Sequence, residues 1–246
     1  MKRKANMGPQ DWVVYEDDAL VVFNKPAGLL IAPDRWDKTK INLMGLIHDC
    51  LSPKWFNAHR LDRDTSGIVV VAKTKPALDD LCTQFEERLV TKEYVALVRG
   101  RPHPPEDSIV HDLEPDRTQP GRMLAVAHGK RACTRYAVRE VFRHYTWVAL
   151  WPETGRQHQL RVHLALRGCP IVGDRFYGDG RGICLSDLKQ GYKPGRGPER
   201  PLLSRLALHA ARVTLKHPVT LQPLTVEAPL PDDLELVLHN LRRYGG

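Results

Sequence analysis

Cysteine is scarce in this sequence and lacks the spacing of a disulfide framework or a metal site. The chain of 246 residues has five cysteines, an odd number, and no Cys-x-x-Cys pair occurs among them. Disulfide-rich secreted domains and cysteine zinc sites both depend on paired or closely spaced cysteines. We therefore predict a protein of a reducing compartment without a cysteine-based zinc site.

Long hydrophobic runs are missing as well. The basic N-terminal segment, residues 1–6, is not followed by the apolar stretch that a secretory signal or a transmembrane helix requires. Acidic residues at positions 11, 16, 17 and 18 argue against a mitochondrial transit peptide, because such peptides are poor in acidic side chains. The sequence predicts a soluble cytoplasmic protein that does not bind membranes.

Acidic residues are fewer than basic residues. The chain has 37 Lys and Arg residues against 29 Asp and Glu residues, which gives a net charge of +8. Such a balance favours a polyanionic partner, and nucleic acid is the simplest one. The hydrophobic content of 42% is typical of a globular protein, and the chain is long enough to build a sizeable core.

Several enzyme motifs are also absent. Neither the GxxxxGK(S/T) loop nor GxGxxG after a predicted strand occurs, so the chain has no phosphate-binding glycine loop. His158 and His163 are too far apart to act as an i, i+4 metal pair, because a helix would turn them about 140° from each other. Ser66 lacks the strand–turn–helix setting of a nucleophile elbow. We therefore predict no catalytic metal site.

A dense polar loop runs directly into a β-branched apolar strand at residues 58–72. Asp64 begins an Asp-Thr-Ser-Gly sequence whose side chains bond the local backbone in turns, so it is interpreted as a turn residue. Asp62 has no such role. It is either a surface carboxylate paired with Arg60 or Arg63, or a reactive group held at the end of a rigid strand.

The hydrophobic pattern predicts short strands mixed with helices. Strands are predicted at residues 12–15, 19–23, 68–72, 91–100, 134–142, 146–151, 212–215 and 224–228. Helices are predicted at 43–51, after an N-cap at Thr74, before a C-cap at Gly168, and from 231 to 243. Because strands and helices mix without a regular β–α alternation, we predict an α/β (α+β) fold with a mixed, mostly antiparallel sheet and flanking helices.

Two segments carry no regular pattern. Residues 101–131 are rich in proline, glycine and charge, which predicts long loops with at most short strands. Residues 178–201 predict a mobile basic loop, which either contacts nucleic acid or is a solvated surface insertion. Lys25, in a turn at residues 24–28, is interpreted as a solvated lysine, with a phosphate contact as the alternative.

Two further clusters accompany the Asp62 loop: residues 92–94, with Tyr94 at the start of a strand, and residues 154–163, with Arg161 on a helix. A carboxylate beside an arginine stays ionised, because the opposite charge lowers its pKa. An ionised aspartate suits nucleophilic or general-base chemistry at a carbon centre. Considered separately, Tyr94 is better explained as a core-edge residue and Arg161 as an exposed helix residue.

Considered together, these segments resemble the sequence motifs of the RluA-type pseudouridine synthases. The resemblance rests on three runs in the family's order, which are His59-Arg60-Leu61-Asp62 with Thr65-Ser66-Gly67, Lys92-Glu93-Tyr94, and residues 154–163. Residues 24–28 and 170–177 are also similar to family patterns. The similarity extends over residues 12–230, nearly the whole chain.

The resemblance implies roles for individual residues. Asp62 matches the catalytic aspartate that attacks the target uridine, and Arg161 matches the basic residue that forms an ion pair with it. Tyr94 matches the tyrosine that stacks on the uracil and is a candidate for removing the proton from C5. Arg60 matches a residue that inserts into RNA where the target base leaves the stack. Further RNA contacts are expected from His59, Leu61, Arg156, His158 and Gln159.

The resemblance also implies a single catalytic domain, here residues 12–246 behind a basic tail at 1–11, with a mixed eight-stranded sheet and a central cleft. Family members need no metal and no organic cofactor. Many carry an N-terminal S4 RNA-binding domain, which we expect this chain to lack. The expected function is isomerisation of specific uridines in a stem-loop of rRNA or tRNA, carried out by a monomer.

Two other functions fit the same residues. An RNA-binding or assembly factor on this fold would keep the motifs without turnover. A metal-independent hydrolase that uses Asp62 would release a product without isomerisation. Detection of pseudouridine in RNA incubated with the purified protein separates the synthase from both.

Overall fold

The computed structural model describes residues 8–34, 37–193, 195 and 197–245. Most of the predicted basic tail, residues 1–7, lies outside the described residues, as do positions 194 and 196 of the predicted basic loop. The chain divides into two compact units. The first unit comprises the described residues up to Lys92 with Ala210–Pro229, and the second comprises Glu93–His209 with the residues from Leu230 onwards.

The helices and strands are named in chain order. The strands are β1 (Val13–Glu16), β2 (Leu20–Lys25), β3 (Phe56–Asn57), β4 (Ser66–Ala72), β5 (Thr91–Arg99), β6 (Glu106–Pro115), β7 (Met123–Val126), β8 (Lys130–Val141), β9 (Tyr145–Pro152), β10 (Leu208–Lys216) and β11 (Pro223–Glu227). The α-helices are α1 (Leu43–Cys50), α2 (Lys75–Glu86), α3 (Gln159–Leu166) and α4 (Asp232–Tyr244). Short 3-10 helices occupy Pro9–Trp12 and Leu185–Asp187. No helix in the described ranges is both long and apolar enough to cross a membrane.

The first unit contains a sheet in the order β1-β2-β4-β10, with β11 beside β10 and β3 beside β4. The β1–β2, β2–β4, β3–β4 and β10–β11 pairs are antiparallel. The strands predicted at residues 12–15 and 19–23 are confirmed as β1 and β2, which form an antiparallel hairpin. Its turn is fixed by Asp17, whose Oδ1 accepts hydrogen bonds from the backbone N–H groups of Ala19 and Leu20 at 2.8 and 2.9 Å.

Strand β4 is the buried centre of this sheet and begins directly after the Asp62 loop. Every residue of β4 is buried, and its β-branched side chains favour a strand buried on both faces. Gly67 has a φ of +109°, and a Cβ at this position would collide with the backbone of Ala210 on β10. Glycine is therefore required where β10 passes the start of β4.

Each of the two α-helices of the first unit begins directly after a residue whose side chain caps its N-terminus. Asn42 precedes α1 and accepts a hydrogen bond from the N–H of Gly45. Thr74 precedes α2 and accepts one from the N–H of Ala77 at 3.3 Å, as its N-cap prediction requires. The buried residues of α2 are Ala77, Leu81 and Gln84.

The second unit contains a sheet in the order β5-β9-β8-β6-β7, in which each neighbouring pair is antiparallel. Helix α3 packs against β6, β7, β8 and β9. One core cluster includes residues of β5, β8, β9, α3 and α4, with Tyr136, Leu150, Leu164 and Leu238 among its buried members. The prediction of a mostly antiparallel sheet with flanking helices is confirmed.

The prediction of loops over residues 101–131 is wrong. Strand β6 runs for ten residues there, and β7 is a short partner of β6. Only Ile109 and Leu113 of β6 are buried, and every other residue of the strand except the exposed Val110 and Pro115 is polar. The apolar alternation that identifies a strand is therefore missing from the sequence, and β6 depends on its long pairing with β8.

The segment at residues 178–201 is irregular where it is described, apart from the 3-10 helix Leu185–Asp187. Ile183 forms a bridge with Leu203, and both side chains are buried. Leu188 joins the same core cluster of the second unit. The prediction of a mobile loop is wrong at these packed positions, while the role of the segment toward RNA stays a prediction.

Candidate active site

Asp62 lies in the first unit, in the loop between β3 and β4. Leu61 is buried under this loop, Arg60 is exposed, and Asp62 is partly buried. The N–H of Thr65 donates to the carbonyl oxygen of Asp62 at 3.2 Å, which closes a turn over residues 62–65. Asp64 is exposed within this turn, so the two carboxylates have different surroundings.

The prediction that Lys25 is a solvated surface lysine is wrong. Its side chain is 0% exposed, and its Nζ donates to the carbonyl oxygens of Pro26, Leu29 and Arg63 at 2.9, 2.8 and 3.0 Å. Arg63 directly follows Asp62. The buried ammonium group therefore ties the loop after β2 to the turn that contains Asp62.

A second set of contacts strengthens this connection. The N–H of Gly28 donates to the carbonyl oxygen of Arg63 at 2.9 Å, and the Arg63 Nε donates to the carbonyl oxygen of Gly28 at 3.1 Å. Gly28 has a φ of +84°, which favours glycine. The two loops are thus joined by one backbone hydrogen bond and by the Arg63 side chain, a connection that the sequence gives no direct means to detect.

His59 supports the Asp62 loop from within the first unit. Its Nε2 accepts a hydrogen bond from the N–H of Val70 on β4 at 3.0 Å, and its ring stacks on Phe85 with centroids 4.5 Å apart. Burial, followed by the positive charge of Lys92, lowers the pKa of His59 to about 3. The imidazole is therefore neutral at physiological pH, which suits its role as an acceptor.

Gln159 organises the start of α3 in the second unit. Its side chain is 3% exposed, and its Nε2 donates to the carbonyl oxygen of Cys133 and to the Oγ1 of Thr134. Its Oε1 accepts from the Oγ1 of Thr154 at 2.6 Å and from the N–H of Arg156 at 3.1 Å. The amide therefore links α3 to β8 and to the turn before α3.

His158 precedes α3 with a φ of +54°, a left-handed conformation that is unusual for a residue with a side chain. Its Nδ1 is hydrogen-bonded to the hydroxyl of Tyr177 at 2.9 Å. The same hydroxyl accepts a hydrogen bond from the N–H of Met123 on β7 at 2.7 Å. Tyr177 thus joins the start of α3 to the β6–β7 hairpin.

Arg161 lies on α3 and forms a buried ion pair with Asp174. Its Nε donates to Oδ2 of Asp174 at 2.7 Å, and its Nη2 donates to Oδ1 at 2.9 Å. The rings of Phe176 and Tyr177 lie 5.5 and 5.2 Å from its guanidinium carbon. The prediction of an exposed helix residue is therefore wrong for Arg161, which is 6% exposed.

Tyr94 lies on the face of the second unit's sheet that α3 covers. It is partly buried and sits opposite Leu150 on β9, which in turn sits opposite Tyr136 on β8. Directly opposed residues share a face, and Thr134 on the same face of β8 accepts a hydrogen bond from Gln159 of α3. Tyr94 and the helix that carries Arg161 thus occupy one side of this sheet.

The structure distributes the predicted site residues over the two units. The first unit contains His59, Arg60, Leu61 and Asp62, and the second contains Tyr94, Arg156, His158, Gln159 and Arg161. Arg156 is only partly buried, and its Nε donates to the carbonyl oxygen of Arg131 at 3.2 Å. The predicted pairing of Arg161 with Asp62 stays a prediction.

The sequence did not predict the roles of two buried residues that bind the predicted site segments. Lys25 ends an apolar strand immediately before a Pro-Ala-Gly turn, and this placement was the available signal that the side chain is buried. Asp174 lies in residues 170–177, which are similar to a family pattern, but the resemblance implies no role for this residue. Its partner Arg161 is 13 positions away, so no local pattern connects them.

Comparisons with known proteins agree on one family. The family model described as RNA pseudouridylate synthase matches residues 19–166. A ribosomal large subunit pseudouridine synthase D of Neisseria meningitidis is 38% identical over 239 residues, which is 95% of this chain and 62% of that protein. The dual-specificity RNA pseudouridine synthase RluA of Escherichia coli is 40% identical over 227 residues, 90% of this chain and 95% of that protein.

Solved structures give the same result at the level of the fold. The human RNA pseudouridylate synthase domain containing 4 superposes with a TM-score of 0.73 and 28% identity, over 95% of this chain and 94% of that chain. The human RNA pseudouridylate synthase domain containing 1 has a TM-score of 0.67, also at 28% identity. The similarity therefore extends through both units.

Proposed function

Because the chain belongs to the RNA pseudouridylate synthase family, we propose that it isomerises uridine to pseudouridine in structured RNA, with Asp62 as the catalytic carboxylate. The observation that carries this proposal is the family match over residues 19–166, a range that contains Asp62, Tyr94 and Arg161. The loop of Asp62 is held in place by hydrogen bonds of Lys25 and His59, as a reacting group requires.

The reaction fixes what the residues have to do. The N1–C1′ bond of uridine breaks, the base turns, and a bond forms between C5 and C1′. The proton on C5 leaves to solvent and N1 gains one, so the reaction is an isomerisation without a redox partner. A base stacked in RNA has to leave its stack before this chemistry, which costs a few kcal/mol.

Asp62 has to be ionised to attack the nucleotide, whether at the base or at the sugar. We propose that the Arg161 guanidinium pairs with Asp62, because an adjacent positive charge lowers the pKa of a carboxylate. Tyr94 is proposed to stack on the uracil and to take part in removing the C5 proton. The aromatic ring supplies a flat apolar surface for the base, and the phenol supplies a polar end.

Exposure and hydrogen bonding divide the expected RNA-binding residues. Arg60 is exposed and Arg156 is partly exposed, which supports RNA contacts for both. His59, Leu61 and Gln159 are instead proposed as scaffold residues, because their polar atoms bond the protein or their side chains are buried. His158 keeps its proposed RNA contact.

The proposed substrate is an rRNA or tRNA stem-loop. One relative is named for the ribosomal large subunit and another for dual specificity, which supports an RNA substrate without fixing the uridine. The proposal further includes a cytoplasmic monomer whose catalytic domain covers residues 12–246 and uses neither a metal nor an organic cofactor.

The test compares Asp62→Asn with Asp64→Asn. Total RNA labelled with tritium at C5 of uridine is incubated with purified protein, and tritium release and pseudouridine are measured. Asp62→Asn is expected to bind the RNA but to lose at least about 1,000-fold in turnover, since a nucleophile is removed. Asp64→Asn is expected to keep wild-type turnover, because Asp64 only forms the neighbouring turn.

The same assay distinguishes the proposed function from the alternatives. Full activity of Asp62→Asn would remove Asp62 from the reaction. Wild-type protein that binds RNA without forming pseudouridine would support a silent RNA-binding factor. Release of free uracil without pseudouridine would support the hydrolase.

A further inference from the structure

We propose that Asp174 is a positioning residue for the synthase reaction, which holds the Arg161 guanidinium in the orientation needed to pair with Asp62. The inference rests on the proposed function. It assigns a role to a residue that contacts neither the substrate nor the reacting atoms in the proposed mechanism.

The contact between the two side chains is directional. Asp174 accepts from Nε and Nη2 of Arg161, the side-on edge of the guanidinium, at 2.7 and 2.9 Å. A bidentate pair of this kind fixes the plane and rotation of a guanidinium as well as its charge. The end-on edge, formed by Nη1 and Nη2, is the one through which we propose that Arg161 meets Asp62.

The carboxylate of Asp174 is itself fixed by the backbone. Its Oδ1 also accepts from the N–H groups of Phe176 and Tyr177 at 2.9 and 3.1 Å. Gly173, directly before it, has a φ of +76°, and a Cβ there would collide with the backbone of Arg205. The orientation of Asp174 is therefore set by the chain on both sides of it.

The segment before Asp174 is anchored to the strand that carries Tyr94. Ile171 forms a bridge with Val98, and the N–H of Val172 donates to the carbonyl oxygen of Leu97 on β5 at 2.9 Å. Asp174 lies two residues after Val172. The hydrogen bonds between Val172 and β5 and between Asp174 and Arg161 therefore fix the position of the Arg161 guanidinium relative to β5. Two of the proposed catalytic residues, Tyr94 and Arg161, thus share one rigid support.

The electrostatics agree with a permanent ion pair. Asp174 is 1% exposed, and burial alone would raise its pKa. Hydrogen bonds and charge from Arg161, together with the two backbone N–H groups, hold the pKa of Asp174 below its usual range instead. Asp174 is therefore ionised at neutral pH and balances part of the Arg161 charge in a buried place.

The test measures the kcat, KM and pH profile of the tritium-release reaction with total RNA for Asp174→Asn and Asp174→Glu. We expect Asp174→Asn to lower kcat about 100-fold, because a displaced guanidinium no longer meets Asp62. KM is expected to change by less than about threefold, because RNA binding does not use this pair. The acid limb of the pH profile is expected to move to higher pH, because the guanidinium charge is no longer held next to the reacting groups.

Asp174→Glu restores the carboxylate, so it is expected to recover at least about tenfold of the lost kcat and the wild-type acid limb. The matched control is Asp233→Asn. Asp233 forms a similar bidentate pair with Arg205 in the same unit, at 2.7 and 2.6 Å. This control is expected to lower the melting temperature while leaving kcat and the acid limb unchanged.

Wild-type kcat and an unmoved acid limb in folded Asp174→Asn would overturn the inference. If Asp174→Asn does not fold, Arg161→Lys decides. This variant keeps the positive charge but lacks the side-on edge that Asp174 orients, so wild-type kcat in Arg161→Lys would equally overturn the inference. Failure of the proposed function looks different: wild-type protein would form no pseudouridine, or Asp62→Asn would remain active.

Discussion

At the scale of single residues, Lys25 shows how a charged group can be used as structural support. Three backbone carbonyl oxygens from two loops accept its ammonium protons, and water does not reach the side chain. A buried cation is tolerated only when such partners satisfy it. Because Lys25 bonds to the turn that contains Asp62, we expect loss of its hydrogen bonds to disturb the position of Asp62 as well as the stability of the fold.

The first prediction concerns this residue. Lys25→Met keeps the length of the side chain but removes the donor to the carbonyl oxygens of Pro26, Leu29 and Arg63, of which the Arg63 oxygen still accepts from the N–H of Gly28. We expect a loss of at least about 2 kcal/mol in the free energy of unfolding, because unsatisfied buried polar groups are costly. Urea unfolding measures this loss, and turnover should fall as the Asp62 turn loosens.

Lys75→Met is the matched control. Lys75 is exposed and pairs with Asp79 one turn away on α2. Exposed pairs of this kind contribute little, so the control should keep a free energy of unfolding close to that of the wild type. Equal losses in the two variants would contradict the structural role of Lys25.

The second prediction follows from the low pKa of His59. The folded state keeps His59 neutral down to about pH 3, whereas the unfolded chain protonates it near 6.5. Between these values the unfolded state binds more protons, so stability falls as the pH falls from 6.5 toward 3. His59→Gln keeps an acceptor for the Val70 N–H but does not titrate.

Urea unfolding between pH 4 and pH 7 measures the effect of His59→Gln. Near pH 5, unfolding of the variant should take up about one proton fewer than unfolding of the wild type, so its stability depends less on pH. An unchanged pH dependence would show that His59 is solvated and titrates normally.

The residue scale also shows where sequence reasoning stops. The types and order of Asp62, Tyr94 and Arg161 were sufficient to predict a site. The partners of Lys25 and Arg161 were not predictable, because the Lys25–Arg63 contact spans 38 positions and the Arg161–Asp174 contact spans 13. Hydrogen bonds of this range depend on the fold and leave no local pattern.

At the scale of elements, β4 connects the fold to the site. It is buried along its length, and the close approach of β10 fixes the point where the Asp62 loop enters it. The apolar, β-branched composition of β4 made it predictable. The ten-residue β6 was not predictable, because its polar residues hide the two buried side chains and its stability depends on β8.

The third prediction concerns this close approach. Gly67→Ala places a methyl group against the backbone of Ala210 and strains a φ of +109°. We expect a loss of at least about 2 kcal/mol in the free energy of unfolding, together with reduced turnover, because β4 and the Asp62 loop shift. Thermal and urea unfolding measure the loss.

Gly195→Ala is the control for this substitution. A Cβ at Gly195 has open space around it. It should change stability by less than about 0.5 kcal/mol. Wild-type stability of Gly67→Ala would contradict the close packing of β10 against β4.

At the scale of the whole molecule, composition predicted the kind of partner, and the order of the motifs predicted the family. The net charge of +8 favoured a polyanionic partner without naming a reaction. The three ordered motifs named the family, and the match over residues 19–166 confirmed it. The uridine that is modified was not predictable, because substrate choice depends on the shape of an RNA that the sequence does not contain.

The most direct test of the central claim is a map of pseudouridine across total RNA from cells that lack this protein. We predict that pseudouridine disappears from one or a few positions and returns when wild-type protein or Asp64→Asn is supplied, but not with Asp62→Asn. An unchanged map in the absence of the protein, or full restoration by Asp62→Asn, would contradict the account.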